Sequence, residues 1–307
     1  MIKSFTIVNF LGDRITMNMR EPAQTGFLIK SVEGLGPVKA DINTTKIVTG
    51  DGSLFNSSRL NERNIVFTFA FVDNDNHETI EDIRQKSYRY FPVKKHIEII
   101  VETDKRTVKT SGYVESNEPI IWGEEAGTQI SIVCPDSYFY SLSEVGDHVT
   151  DFYSVRPMFE FPFSNESLVD GLIEFGAIQT QSEDVITYRG DADVGIKIFI
   201  HANGEASNIS IYNTGTREKM EIDTDKIKMI TGNGIMPMDD IVINTVKGSK
   251  SITLIRNGVE HNILNCLGRN TDWLCLSTGD NTLAFTAEKG MTNLQFRIEH
   301  KVVYEGV

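Results

Sequence analysis

Gly50-Asp51-Gly52, then Arg59 and Arg63, then Ile65-Val66-Phe67-Thr68-Phe69-Ala70-Phe71-Val72, then Glu78 through Phe91: this run decides the fold class. Ile65, Phe67, Phe69 and Phe71 recur at every second position, which places four large apolar side chains on one face of a pleated strand. The residues after it change period. Ile80, Ile83, Ser87, Tyr90 and Phe91 make a helical stripe, predicting one helix over 78–91. Asp75 is the expected N-cap, with Glu78 as its capping-box partner. Glu81 and Asp82 come early while Arg84, Lys86 and Arg89 come late, an order that complements the helix dipole, and Pro92 stops the element.

Outward from this run the pattern is strands. Ser4–Phe10 alternates and breaks at Leu11-Gly12-Asp13-Arg14, as a hairpin does. Short stretches at Phe27–Ile29 and Val38–Ile42 lie between Gly26, Gly34, Gly36 and Pro37. Strands are expected again at His96–Glu102, Arg106–Val114 and Gln129–Cys134. The second half is a ladder: Ile196–Ile200, Asn208–Tyr212, Lys219–Ile222, Lys226–Ile230, Asp240–Asn244, Ser251–Ile255, Thr282–Ala287 and Leu294–Glu299. Turns such as Asn203-Gly204, Thr214-Gly215 and Asn257-Gly258 recur about every ten residues, the rhythm of an antiparallel sandwich. No βαβ alternation occurs, which excludes a nucleotide-binding sheet.

The 307 residues exceed one ordinary core. Prolines flank the polar stretch Ser143 to Asp151, which reads as a connection near 143–155. The expected organisation is therefore two domains: residues 1–145, a β-sandwich with helix 78–91, and residues 155–307, a second β-sandwich. The formal net charge of −13 is shared, −5 over residues 1–150 and −8 over the rest. Without a basic patch to neutralise phosphates, nucleic-acid binding is disfavoured. Met1-Ile2-Lys3-Ser4-Phe5 lacks a signal-peptide core, and no run approaches the ~20 apolar residues that span a bilayer. Cys134, Cys266 and Cys275 are odd in number and widely spaced among apolar neighbours, so buried reduced thiols are expected.

Each candidate for chemistry has a plainer reading. Asp73-Asn74-Asp75-Asn76 begins like a calcium loop, but Glu78 stands where glycine is needed and Arg84 where a bidentate Glu is needed. Asp191, Asp193, Asp239 and Asp240 are expected as solvated turn residues rather than a cation site. The six histidines show no ligand spacing. Gly34-Leu35-Gly36 runs into Pro37 and is not a phosphate loop. Glu124 and Glu125 would face opposite sides of a strand and cannot form an acid/base pair. Arg189-Gly190-Asp191 is an ordinary turn. Trp122 and Trp273 are expected as core or interface anchors, with a glycan-stacking role for Trp273 as the sharper alternative. No catalytic, metal or cofactor site is expected.

The chain resembles the phage distal tail protein family, siphovirus-type tail-tip hubs, and the resemblance spans both halves. It rests on Gly50-Asp51-Gly52 with Arg59 and Arg63, the Ile65–Val72 strand, the 78–91 helix and Cys134-Pro135. In the second half it rests on Gly190-Asp191, Ile196–Ala202, Asp239–Thr245 and Trp273–Leu283. The closing Tyr304-Glu305-Gly306-Val307 also fits. The resemblance implies a mainly β chain whose first domain builds a homo-oligomeric, hexameric ring, and whose second domain is a galectin-like or carbohydrate-binding-module-like sandwich. It implies a non-enzymatic virion protein made in the bacterial host cytoplasm and placed at the tail tip. The implied partners are the tail tube protein and a tail-tip protein, with no membrane insertion. In this frame Arg59 and Arg63 become candidate ring-interface or core-lid residues. The alternative function is a carbohydrate-binding module that contacts the host wall through the second domain.

Overall fold

The computed structural model describes residues 1–47, 50–122, 125–142, 148–157, 176–180 and 182–307, with backbone alone for 153–157 and 176–180. Residues 143–147 of the expected connection, Glu124, and Met158 to Phe163 lie outside the described residues. The fold is mainly β and its sheets are antiparallel. By contact the chain forms two units, Met1–Gly146 together with Val303–Val307, and Asp147–Val302. The second domain was expected to run to residue 307; the last five residues instead return to the first unit. Among the described residues no helix is long and apolar enough to cross a membrane.

The first unit contains β1 (Ile2–Val8), β2 (Arg14–Asn18), β3 (Phe27–Glu33), β4 (Ala40–Lys46), β5 (Ser53–Leu60), β6 (Arg63–Phe71), helix α1 (Ile80–Tyr90), β7 (His96–Thr103), β8 (Thr107–Ile120), β9 (Gly127–Cys134) and β10 (Phe139–Ser141). Its main sheet runs β2-β1-β7-β8-β9-β6-β3. Phe5 on β1 meets Phe67 on β6 edge-on at 5.3 Å although β7, β8 and β9 separate those strands along the sheet. The sheet therefore curls over itself around one core. The period-two face of β6 lines that core: Ile65, Phe67 and Phe69 are fully buried and Phe71 nearly so. Burying side chains of this size contributes about 1.5–3 kcal/mol each.

Helix α1 closes the core, with Ile83 buried and Phe91, just past its end, packed on Phe67 and Phe69. Its start differs from the expectation. Thr79 is the N-cap, in a capping box with Asp82, and not Asp75 with Glu78. The Asn74 side chain accepts the Glu78 amide in a preceding turn, which uses up the acid/amide cluster that resembled a calcium loop. Ile80 lies on the exposed side of the helix.

The second unit contains β11 (His148–Asp151), β12 (Tyr153–Pro157), β13 (Gly176–Thr180), β14 (Glu183–Tyr188), β15 (Val194–Ala202), β16 (Ser207–Asn213), β17 (Glu218–Ile222), helix α2 (Thr224–Thr231), β18 (Asp239–Asn244), β19 (Ser251–Arg256), β20 (Val259–Asn262), β21 (Cys275–Leu276), β22 (Gly279–Lys289) and β23 (Leu294–His300). One sheet runs β11-β23-β15-β18-β19-β20, with β21 on β15; a second runs β14-β22-β16-β17; β12 and β13 form a separate pair. Phe285 on β22 stacks on Phe296 of β23 at 3.5 Å, so the two larger sheets face each other across an apolar core. β24 (Val303–Tyr304) then pairs with β10 in the first unit.

Two expectations for the second unit are corrected. Lys226–Ile230 is helix, not strand. Ile227, Met229 and Ile230 mimic a half-buried strand, but the brackets decide: the Asp223 carboxylate accepts the amides of Asp225 and Lys226, and Gly232 ends the helix at φ 83°. Asp239, expected as a solvated turn residue, is buried against Arg256, whose guanidinium holds it at 2.5 and 2.9 Å.

Candidate assembly surface

In the first unit, β4 and β5 form a two-stranded ribbon separate from the main sheet. Its register runs from Ala40 opposite Leu60 to Lys46 opposite Ser53, with a bulge beside Asn43 and Thr44. At roughly 3.3 Å per residue the arm extends about 23 Å. It interrupts the β3–β6 edge hairpin of the sheet, leaving after Glu33 and rejoining at Arg63. Every residue of β5 is exposed.

The arm nevertheless carries large apolar side chains. Ile42 is 63% exposed, Phe55 65% and Leu54 60%. The pairing of Ala40 with Leu60, Ile42 with Ser58 and Thr44 with Phe55 puts Ile42, Phe55 and Leu60 on one face of the ribbon. The opposite face is largely polar, carrying Asp41, Asn43, Thr45, Ser57 and Arg59, with Leu54 toward its tip. A lone two-stranded ribbon is marginally stable in water, and exposed apolar side chains on it add nothing to the core. The arm therefore has the composition of a contact element.

Its root is held by Arg63. This side chain is among the largest fully buried ones, 1% exposed, and all five guanidinium donors are used on main-chain oxygens. Nη1 donates to Gly34 O at 2.5 Å and Gly36 O at 2.7 Å; Nε and Nη2 donate to Ser137 O at 3.2 and 2.7 Å; Nη2 also reaches Glu305 O at 2.7 Å. The guanidinium lies 4.2 Å over the Phe139 ring. Burial lowers its pKa, yet arginine keeps its charge, and its planar fork is the one side chain with five donors to give. Gly34 adopts φ +83°, and a Cβ there would run into the Asn64 carbonyl, so the chain needs glycine where the arm departs.

Residues 23–118, a span that contains the arm, match the family model of the phage tail protein RIFT-related domain. The match lies wholly in the first unit and covers about a third of the chain. The resemblance to a phage tail protein is borne out over that span. In overall fold the chain is similar to the Dit protein of phage SPP1, described as a paradigm of the hub adsorption apparatus in phages that infect Gram-positive bacteria. That likeness has a TM-score of 0.62 at 14% identity, covering 97% of this chain and 99% of that one. Chains from two structures of the phage p2 baseplate in its activated conformation, with Ca and with Sr, are more distant. Their TM-scores are 0.42 and 0.39 at 10% identity, over 98% and 97% of this chain and 99% and 98% of theirs. No curated protein is matched by the sequence.

Within the matched span, Arg59 and Arg63 do different things. Arg59 sits on the polar face of the arm and pairs with Asp41 across the ribbon at 3.2 Å. The Asn61 and Arg59 hydrogen bonds hold the Asp41 carboxyl below its ordinary range. Arg63 is 1% exposed, which fits the core-lid alternative for that residue rather than the ring-interface one. Trp122, expected in a core or an interface, is 97% exposed beyond β8 and so is not core. In the second unit Trp273 is half-buried, with the Lys250 ammonium 4.8 Å from its ring centre. Asp240 bonds His201 as its cross-strand neighbour at 2.6 Å. Among the described residues no group of acidic, His and Cys side chains could hold a metal.

Sequence reasoning missed the arm itself. Its strands alternate polar residues on one face and isolated apolar ones on the other, with no core-facing period to detect. The available signal was Gly50-Asp51-Gly52 set between two runs rich in Thr, Asn and Ser.

Proposed function

We propose that this protein is a structural hub of a phage tail, or of a prophage-derived or tail-like particle. In this reading the first unit assembles head-to-tail into a closed hexameric ring at the tail tip. The ring joins the tail tube protein on one side to a tail-tip protein on the other, and the second unit is a galectin-like sandwich carried by it. The observation that carries the reading is the arm: a ribbon inside the span that matches a phage tail domain, whose apolar face stays exposed among the described residues. A heterologous contact joins one patch to a different patch on the next copy, and such an element can supply one of the two. The chemistry is assembly, not catalysis.

The test is the mass and shape of the purified chain, by light scattering and negative-stain imaging, beside a variant carrying Ile42→Ser and Phe55→Ser. Rings in the parent and monomers in the variant, with unchanged circular dichroism, support the reading. A parent that stays monomeric and binds neither tail-tube nor tail-tip protein overturns it.

A further inference from the structure

The root of the arm is not closed by its own neighbourhood. The strand that leaves the sheet contributes three carbonyls, those of Gly34, Leu35 and Gly36, and each is bound. Arg63 takes Gly34 O and Gly36 O, and the Val307 amide donates to Leu35 O at 3.0 Å. On the returning strand, Ser137 Oγ donates to Asn61 O at 2.6 Å and the Asn61 amide reaches back to Lys39 O. Two of these ties depend on a segment that follows the whole second unit in sequence: Glu305 O accepts from Arg63, and Val307 donates to Leu35.

That segment is itself seated firmly. Phe139 and Tyr140 pair with Tyr304 and Val303. Arg106 donates to Gly306 O at 2.8 Å while its guanidinium lies 4.2 Å over the Tyr304 ring. Val303 is buried. Gly306 packs so closely on the root that a Cβ would stand 3.1 Å from Leu35 O and 3.3 Å from the Gly36 Cα. The segment thus contacts the arm where it leaves the fold and reaches, through one buried guanidinium, the residue where the arm returns.

We propose that Val303–Val307 is the positioning element of the 40–60 arm: seating this segment locks the root and sets the direction in which the arm leaves the first unit. A chain whose second unit is still being made lacks the lock, so its arm is not aimed and it cannot join a neighbour. Assembly then draws only on chains in which both units are present. This consequence rests on the reading that the arm builds the ring; the lock itself does not.

The test is amide hydrogen exchange on the full chain carrying Gly306→Val, with the parent alongside. The Val307 amide reports whether the segment is seated, Asn61 and residues 40–46 report the arm and its root, and β7–β9 report the core. The expected result is exchange about tenfold faster at Val307, Asn61 and the arm, with β7–β9 unchanged. Faster exchange at Val307 with an unchanged root, or loosening that extends through β7–β9, overturns the proposal. Should Gly306→Val leave Val307 protected, the chain lacking 303–307 replaces it, with the same readings for root and core; global unfolding of the first unit counts against a positioning role. Ring yield is measured separately. A parent that makes no rings removes the assembly reading and leaves the exchange result to decide the lock.

Discussion

Arg63 and Glu305 stand 242 residues apart in sequence and are joined by a 2.7 Å hydrogen bond from the guanidinium to the main-chain oxygen. A contact of this range carries a large loop-closure cost, and the fold meets it with a side chain that satisfies four carbonyl oxygens at once. None of those oxygens belongs to a carboxylate. The charge is stabilised by peptide dipoles and by the Phe139 ring, with the Asp136 carboxylate adding a further favourable field.

Arg63→Met keeps the volume and removes every donor. The buried acceptors then lose their partners, each at a cost of roughly 1–3 kcal/mol, softened where water enters; a total of about 3–5 kcal/mol is expected. Arg63→Lys retains the charge but can serve fewer of the oxygens, and falls between the two. Urea denaturation followed by a probe in the first unit measures both. A loss below about 1 kcal/mol for Arg63→Met contradicts the bonding pattern.

The contrast between β6 and the arm shows what was legible in the sequence. Ile65, Phe67 and Phe69 announce a strand because alternation against a core is a property of neighbouring residues. Arg63 announces nothing, because its partners are carbonyls of Gly34, Gly36, Ser137 and Glu305, supplied by three distant segments whose side chains carry no signal. The arm is silent for a related reason: with neither face buried in its own chain, selection leaves no core period on it. Helix α2 was hidden differently. It is 8 residues long, too short for its stripe to outvote the strand-like order of Ile227, Met229 and Ile230, and only Asp223 and Gly232 disclose it.

Asp239, buried, and Arg256, half-buried, form an ion pair in the second unit, with Arg256 also bonded to Gly234 O and Thr231 Oγ1. The pair ties the end of α2 to β18 and β19. Removing one member strands the other charge, so Asp239→Asn and Arg256→Met should each destabilise by about 3–5 kcal/mol, whereas the double variant should lose much less than the sum. A double-mutant cycle read by thermal unfolding of the second unit decides; strict additivity would show that the two side chains do not act together.

Trp122 and Trp273 separate cleanly by environment. Trp122 is 97% exposed, so Trp122→Ala should alter stability by no more than about 0.5 kcal/mol. Emission should shift to shorter wavelength, because the remaining indole, Trp273, is half-buried. Acrylamide quenching should fall in the same variant. An unchanged spectrum would place Trp122 in a shielded site.

Cys134 gives the first unit an alkaline limit. Burial raises its thiol pKa from 9.0 to about 11, the neighbouring Thr110 and Arg63 side chains opposing only in part. The sign follows from which state loses its proton first. Between pH 9 and 11 the unfolded chain ionises this thiol while the folded chain keeps it neutral, so the unfolded state gains and stability falls as pH rises. Two pH units of separation correspond to roughly 2–3 kcal/mol, lost progressively across that window and absent below it. Cys134→Ala should start less stable at pH 7 because of the small cavity, yet lose this part of the alkaline slope. Urea unfolding of the first unit at pH 8, 9, 10 and 11, for parent and variant, measures the difference; identical slopes would show that Cys134 ionises as readily folded as unfolded.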